Sequence, residues 1–236
     1  MSTEDLKKEA AKKAITLISD KTIVGLGAGS TIGYVFQFLK AQIENGLRIQ
    51  LVTSSFSTRQ LLWKNKFMVQ PIAAFKSIDI YFDGCDQLDS ELNALKSGGG
   101  IHTQEKLLAS MANEFILIGD ESKLVQNFDN RFPVVIELLP QAVGYVPGCI
   151  QNLFPGSKSA YRISEKKDGY VITENGNYLL DIWLGEWPDL STINPLFKSI
   201  TGVVETSLFY KLANKAIIAG KEGIKVLERN EIRNNK

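Results

Sequence analysis

Histidine and cysteine are nearly absent: the 236 residues hold one histidine, His102, and two cysteines, Cys85 and Cys149. Two cysteines far apart and outside any CxxC pattern argue against a disulfide framework or a zinc site, and suit a reducing compartment. A lone histidine leaves little material for a His-based metal centre or a Ser-His-Asp triad. There is no excess of one charge. With 27 basic and 26 acidic residues the net charge is +1, so no global field draws nucleic acid or an anionic membrane, and any anion site must be built locally. No apolar run approaches membrane-spanning length, and the opening Ser-Thr-Glu-Asp-Leu-Lys-Lys lacks the apolar core of a signal peptide. These absences predict a cytoplasmic protein with neither a nucleic-acid nor a membrane partner.

What is present is a 44% hydrophobic share with 22% charged residues, the mix of a folded globular chain long enough for one large domain or for a main domain with a smaller partner. The first half alternates helix and strand. Leu6, Ala10, Ala14 and Leu17 recur at helical spacing with lysines off the stripe. Ile23 to Leu26 is a short apolar run ending in glycines, and reads as a buried strand. A second helix is predicted from Thr31 to Glu44, stopped by Asn45-Gly46. Further strands are predicted at Arg48–Val52, Ile78–Phe82 and Phe115–Gly119, and helices at Ser57–Lys64 and Thr103–Asn113. This βαβ rhythm predicts an α/β fold, a mostly parallel Rossmann-like sheet flanked by helices.

After about Gln126 the rhythm changes. Pro133–Leu138 is strand-like, and Gln141–Leu153 reads as helix with a Gly-Pro interruption. Tyr170–Thr173 and Tyr178–Trp183 flank Glu174-Asn175-Gly176-Asn177, a strong hairpin signal. Residues 128–203 are therefore expected to form a smaller α+β subdomain, with residues 1–127 and 204–236 as the main domain. Lys215–Ala219 and Gly223–Leu227 read as strands returning to the main sheet, and the polar tail from Arg229 is expected to fray.

Three stretches carry chemistry. Gly25-Leu26-Gly27-Ala28-Gly29-Ser30-Thr31 lies between a strand and a helix, where glycines let the backbone approach a ligand and the helix start offers free N–H groups to a phosphate. An ordinary turn with a Ser or Thr cap reads the same residues. A dinucleotide fingerprint fails because Ser30 stands at the third glycine position, and a P-loop fails because no lysine follows. The second stretch, Asp83-Gly84-Cys85-Asp86-Gln87, sits at a strand's carboxyl end, where open α/β sheets bind ligands; Asp-Gly is also simple turn chemistry. The third runs from Lys96-Ser97-Gly98-Gly99-Gly100 into Thr103-Gln104-Glu105-Lys106. Three consecutive glycines suit either a loop wrapped around a ligand or a flexible surface loop. Glu105 falls in a helix's first turn that Thr103 could cap; it either complements the helix dipole or serves as a base beside a carbonyl. His102 reads as a surface residue. Ser54, Ser55, Ser57 and Thr58 either line the same cleft or cap the next helix, and Lys123 follows another strand end.

In this order the segments resemble ribose-5-phosphate isomerase A, whose pattern is a GxGTGST-like loop, DGADE, KGGG, an [ST]xEK helix start and DxSK. They stand here as Gly25–Thr31, Asp83–Gln87, Lys96–Gly99, Thr103–Lys106 and Asp120–Lys123. The likeness extends over nearly the whole chain, including Lys7, Glu174-Asn175-Gly176-Asn177 and Thr201-Gly202-Val203-Val204. The resemblance implies reversible conversion of D-ribose 5-phosphate to D-ribulose 5-phosphate, without metal or organic cofactor, by a homodimer or homotetramer. It implies that Glu105 moves the proton between carbons 2 and 1, that Asp83, Asp86 and Lys96 bind the sugar and assist ring opening, and that Lys96, Gly98 and Gly99 offset charge on oxygen. The implied substrate contacts are Lys7, Ala28, Gly29, Ser30, Thr31, Gly84, Cys85, Ser97, Gly98, Gly99 and Lys123. Ala28, Cys85, Gln87, Ser97 and His102 depart from the family pattern. They leave open another sugar-phosphate substrate, and beside it a non-catalytic sugar-phosphate sensor.

Overall fold

A computed structural model describes residues 1–229. Helix α1 (Thr3–Ile15) opens on a reciprocal cap, in which the Ser2 hydroxyl accepts from the Asp5 amide and the Asp5 carboxylate accepts from the Ser2 N–H. Two helix-start amides are thereby satisfied. There follow β1 (Thr22–Leu26), α2 (Ser30–Glu44), β2 (Ile49–Thr53), α3 (Phe56–Lys64) and β3 (Ile78–Asp83). The two-residue strands β4 (Gln87–Leu88) and β5 (Ala94–Leu95) lead to α4 (His102–Met111) and β6 (Ala112–Asp120). Next come β7 (Val134–Leu138), α5 (Val146–Leu153), β8 (Lys158–Tyr161), β9 (Tyr178–Trp183) and α6 (Leu190–Lys198). The chain closes with β10 (Val203–Thr206), β11 (Leu208–Phe209), β12 (Lys215–Gly220) and β13 (Gly223–Glu228).

The main sheet has six strands in the order β13-β12-β6-β3-β1-β2, parallel throughout except for the antiparallel edge pair β12–β13. Period-2 alternation assigns its residues to two cores. Val24, Leu26, Phe82, Ile116, Ile118 and Ile217 pack under α1 and α2, against Leu6, Ala10, Ala14, Ile32, Phe36 and Leu39. Tyr81, Phe115, Leu117, Ala216 and Ile218 face the other way, onto Leu108 and Ala109 of α4. Each such large side chain taken out of water contributes about 1.5–3 kcal/mol, so the alternation fixes which sheet face each helix covers.

A second, four-stranded antiparallel sheet, β10-β7-β9-β8, has its own core, where Ile136, Leu180 and Ile182 meet Ile150 of α5 and Ile193 and Phe197 of α6. It continues to Thr206, past the expected boundary at 203. A three-stranded patch, β11-β5-β4, completes the sheets.

Several local expectations change. The Asn-Gly turn is present, with Gly176 at φ +80° and its N–H donating to the Thr173 carbonyl at 2.9 Å. Its first arm, Tyr170–Thr173, makes only isolated bridges (Ile163 with Tyr170, Ile172 with Tyr178), because β8 pairs with β9 from Lys158 to Tyr161. The stretch 141–153 is not one helix: a 3₁₀ turn at Pro140–Ala142 precedes α5, with Pro147 in its first turn, where a missing N–H costs nothing. Helix α4 ends at Met111, and β6 begins at the next residue to pair Ala112 with Ile78. Arg229 donates its N–H to the Asn214 carbonyl at 3.0 Å; the rest of the tail expected to fray, and of the domain expected to reach 236, lies outside the described residues.

Candidate active site

Because β1, β2, β3 and β6 are parallel, the loops leaving their carboxyl ends share one edge of the sheet. There they enclose a cavity of about 440 Å³, lined by Lys7, Ala28, Gly29, Ser30, Thr31, Ser57, Asp83, Gly84, Cys85, Asp86, Lys96, Gly98, Gly99, Glu105, Ile118, Gly119, Asp120 and Lys123. That volume suits a small metabolite.

Asp83, 1% exposed, is the hub. Its Oδ1 accepts from the amides of Gly84 at 2.8 Å and Ala28 at 3.2 Å, and its Oδ2 from the Tyr81 hydroxyl at 2.6 Å. The Lys96 ammonium lies 3.0 Å from Oδ2. Four protein donors occupy both oxygens and fix the orientation of the side chain. Gly27 makes this arrangement possible: a Cβ there would stand 2.0 Å from Asp83 Oδ1.

Lys96 Nζ also donates to the Gly84 carbonyl at 2.6 Å and lies 3.3 Å from Glu105 Oε1. Burial works to depress the ammonium, but Asp83 and Glu105 together outweigh it and hold the pKa above its ordinary value. Glu105 is 5% exposed in the first turn of α4. Burial first, then the negative charge of Asp83, push its carboxyl up to about 8, with Lys96 offsetting part of the effect. A carboxylate tuned toward neutral pH beside a fixed ammonium can take a proton from carbon and return it.

At the start of α2 the N-cap is Gly29 at φ +90°, with no side-chain cap. The expected Ser or Thr cap is absent because Ser30 is already helical, and its hydroxyl accepts from Lys7 Nζ at 2.9 Å. The first amides of α2, a lysine and two hydroxyls thus stand together in the cavity wall, the chemistry of a phosphate site. Cys85 lines the same wall; burial pushes its thiol up to about 12, so it is neutral.

The glycine loop is held from two sides. Asp86 Oδ2 accepts from the amides of Ser97 at 2.6 Å and Gly98 at 2.9 Å. Arg162, beyond β8, pairs with Asp181 of β9 at 2.6 Å and donates to the carbonyls of Ser97 at 2.9 Å and Gly98 at 3.3 Å. Ser97 and Gly98 are thus tied down at both their amides and their carbonyls. Gly100, at φ +72°, lies so close to the second sheet that a Cβ would stand 2.7 Å from Leu179 Cδ1.

Comparison with known proteins decides the family. The family model described as ribose 5-phosphate isomerase A (phosphoriboisomerase A) matches residues 50–223. The chain belongs to this family. The ribose-5-phosphate isomerase A of Methanocaldococcus jannaschii is 35% identical over 231 residues, 97% of this chain and 100% of that protein. That of Methanothermobacter thermautotrophicus is 38% identical over 224 residues, 94% of this chain and 97% of that one. A solved D-ribose-5-phosphate isomerase in complex with phospho-erythronic acid superposes with a TM-score of 0.91 at 34% identity, covering 97% of this chain and 100% of that one. The Plasmodium falciparum ribose 5-phosphate isomerase gives 0.89 at 30% identity, covering 96% and 99%.

Within this family frame, the cavity brings together every site residue implied by the resemblance except Ser97. Of the hydroxyl cluster only Ser57 reaches the wall, while Ser55 caps α3, Ser54 meets Tyr81 and Thr58 donates to the Gly27 carbonyl. The Ser97 hydroxyl donates to the Pro133 carbonyl, away from the cavity. Gly98 lines the wall, but its amide is taken by Asp86, so it is not free to face an oxyanion. Thr103 does not cap α4: the N-cap is Ile101, and the Thr103 hydroxyl donates to the buried Glu137. His102 is buried, not on the surface, and burial with Lys106 nearby pushes its imidazole down to about 4. Gln87 bonds Asp129 at 2.6 Å and is not in the cavity wall. Of the departures from the family pattern, only Ala28 and Cys85 reach the wall. Sequence reasoning missed Gly27, Tyr81, Asp120 and Arg162. Gly27 and Asp120 lay inside motifs already noticed, but Tyr81 and Arg162 carried no local signal.

Proposed function

We propose that this chain interconverts D-ribose 5-phosphate and D-ribulose 5-phosphate through an enediolate, with Glu105 as the proton-carrying base. The observation that carries this is the buried Glu105 carboxylate, its pKa raised, held 3.3 Å from Lys96 in a wall that also offers the start of α2. The Glu105 carboxylate takes the proton from carbon 2 of the aldose; the C–H electron pair moves into the C1–C2 bond, and the carbonyl oxygen becomes the enediolate. Glu105, now a neutral acid, returns its proton to carbon 1, while a hydroxyl proton passes from O2 to O1. As Glu105 loses its charge, the Lys96 N–H that faced it turns to the oxygen where charge develops, an interaction stronger in the transition state than before it. The Gly99 amide adds to this, while Lys7, Ser30, Thr31, Lys123 and the α2 amides take the phosphate. Asp86 keeps the glycine loop in place through Oδ2 and presents Oδ1 to the sugar.

The solved relative binds phospho-erythronic acid, a small phosphorylated sugar acid, and this supports a phosphorylated sugar as the ligand of the same cavity. Ala28 and Cys85 change only one hydroxyl and one small side chain of the wall, so a pentose phosphate remains the substrate. A sensor gives no reason to bury Glu105 against Asp83. No helix among the described residues is long and apolar enough to cross a membrane, and we place the protein in the cytoplasm as a homodimer or homotetramer, which light scattering after gel filtration checks. Turnover across a panel of aldose and ketose phosphates tests the function: ribose 5-phosphate is expected to be the best substrate and Glu105→Gln to bind it without turning it over. Unchanged turnover by that variant, or preference for a hexose phosphate, would refute the assignment.

A further inference from the structure

Glu137, on the central strand β7 of the second sheet, is 1% exposed and belongs to no part of the cavity wall. A buried carboxylate that pairs with no lysine or arginine among the described residues needs hydrogen-bond donors, and four side chains supply them. Thr173 Oγ1 and Asn175 Nδ2 each donate to Oε1 at 2.9 Å, and Asn177 Nδ2 donates to it at 2.7 Å. The remaining oxygen, Oε2, takes its bond from Thr103 Oγ1. Burial pushes the Glu137 pKa up, but these donors outweigh it and hold it below the ordinary value. Three of the four come from the turn of the second sheet. The fourth comes from the first turn of α4, two residues before Glu105. That turn has no side-chain cap of its own, and the Thr103 hydroxyl ties it to Glu137. A second tie runs beside it, Gln104 Nε2 to Asn175 Oδ1 at 2.8 Å.

We propose that Glu137 is a positioning residue for catalysis: through Thr103 it locks the first turn of α4 and so sets where the Glu105 carboxylate stands relative to Lys96 and Asp83. The inference rests on the role given to Glu105 above. The groups facing Glu105 are Asp83 and Tyr81 from β3 and Lys96 from the glycine loop. The titratable group that senses Glu137 from α4 is His102; Lys106 pairs with Glu205, which also binds Lys198.

Glu137→Gln would face hydroxyl and amide donors with an NH₂ group and is prone to unfold, so the test uses its two threonine partners. Thr103→Val and Thr173→Val each delete one bond to Glu137 at nearly constant volume, but only the first removes a tie from α4. Because misplacing a catalytic group by about 1 Å can cost about a hundredfold in rate, Thr103→Val is expected to lower kcat at least about tenfold with KM within about threefold. Thr103→Ser, which restores the hydroxyl, is expected to recover it, and Thr173→Val to keep kcat within about threefold. Glu105 ionisation, followed through its side-chain carboxyl ¹³C resonance, is expected to move toward the ordinary glutamate range in Thr103→Val and to stay in place in Thr173→Val. Equal effects of the two valines, or an unmoved Glu105 titration and kcat in folded Thr103→Val, would overturn the proposal. Because the ¹³C titration needs no turnover, an inactive parent protein would sink the isomerase reading while leaving this inference to be decided on its own.

Discussion

Replacing Glu105 by glutamine should abolish turnover and yet stabilise the protein, and the gain should depend on pH. The folded state raises this carboxyl from 4.5 to about 8. A raised pKa means that the folded state holds the proton more tightly than the unfolded chain. The resulting stability is fully present below pH 4.5, declines as pH climbs, and is gone above about 8, where the buried carboxylate is ionised beside Asp83. Each tenfold gain in proton affinity is worth about 1.4 kcal/mol, so the full difference comes to about 5 kcal/mol. Water reaches the open cavity and Lys96 neutralises part of the charge, so a realised gain of about 1–3 kcal/mol at pH 9 is expected for Glu105→Gln. The amide oxygen still accepts from Lys96, which also keeps Asp83 and the Gly84 carbonyl. Urea unfolding of parent and variant, followed by tryptophan fluorescence at pH 5 and pH 9, measures this. The two proteins should be of similar stability at pH 5 and diverge at pH 9 with the variant ahead. A difference independent of pH, or a variant weaker at pH 9, would show that Glu105 is not held against its charge.

The raised Glu105 pKa also predicts that kcat/KM rises with pH through an acid limb well above the ordinary glutamate range, since the active form is the carboxylate; a limb near pH 4.5 would contradict it. Gly27→Ala drives a methyl group into Asp83, 2.0 Å from Oδ1; a loss of about 2–4 kcal/mol in urea unfolding and a large loss of turnover are expected, with the latter surviving when stability is restored by a stabilising solute. Tyr81→Phe removes the hydroxyl that donates to Asp83 and meets Ser54 at 3.1 Å. It should cost about 1–2 kcal/mol by unfolding, and a neutral result would show that water replaces the hydroxyl.

Much of this was legible in the chain itself, for reasons that differ by element. The parallel strands announced themselves because both faces are buried, which leaves apolar runs such as Ile23–Leu26. The glycine loops and Glu105 were legible because their chemistry is compact: each motif spans a few consecutive residues at one strand end. The short strands β4, β5 and β11 have two residues each, too few for any period to show. Lys158–Tyr161 went unrecognised because it is mostly exposed and so carries no alternation, and it takes the pairing with β9 that the more strand-like Tyr170–Thr173 was expected to make. Arg162 and Glu137 act on residues 64 to 65 and 34 positions away, and nothing local marks such partners. His102 misled by neighbourhood alone: it follows a glycine loop but turns inward, its Nε2 3.3 Å from the Glu205 carbonyl.

The two-sided hold on the glycine loop bears on how substrate arrives. Asp86 grips the amides of Ser97 and Gly98, Arg162 grips their carbonyls, and Gly100 packs against Leu179, so the loop reads as a fixed wall more than as a door. Capture of the sugar phosphate should then follow a single concentration-dependent phase in stopped-flow mixing, with a rate set by diffusion and by the cations of the wall, falling as salt screens them.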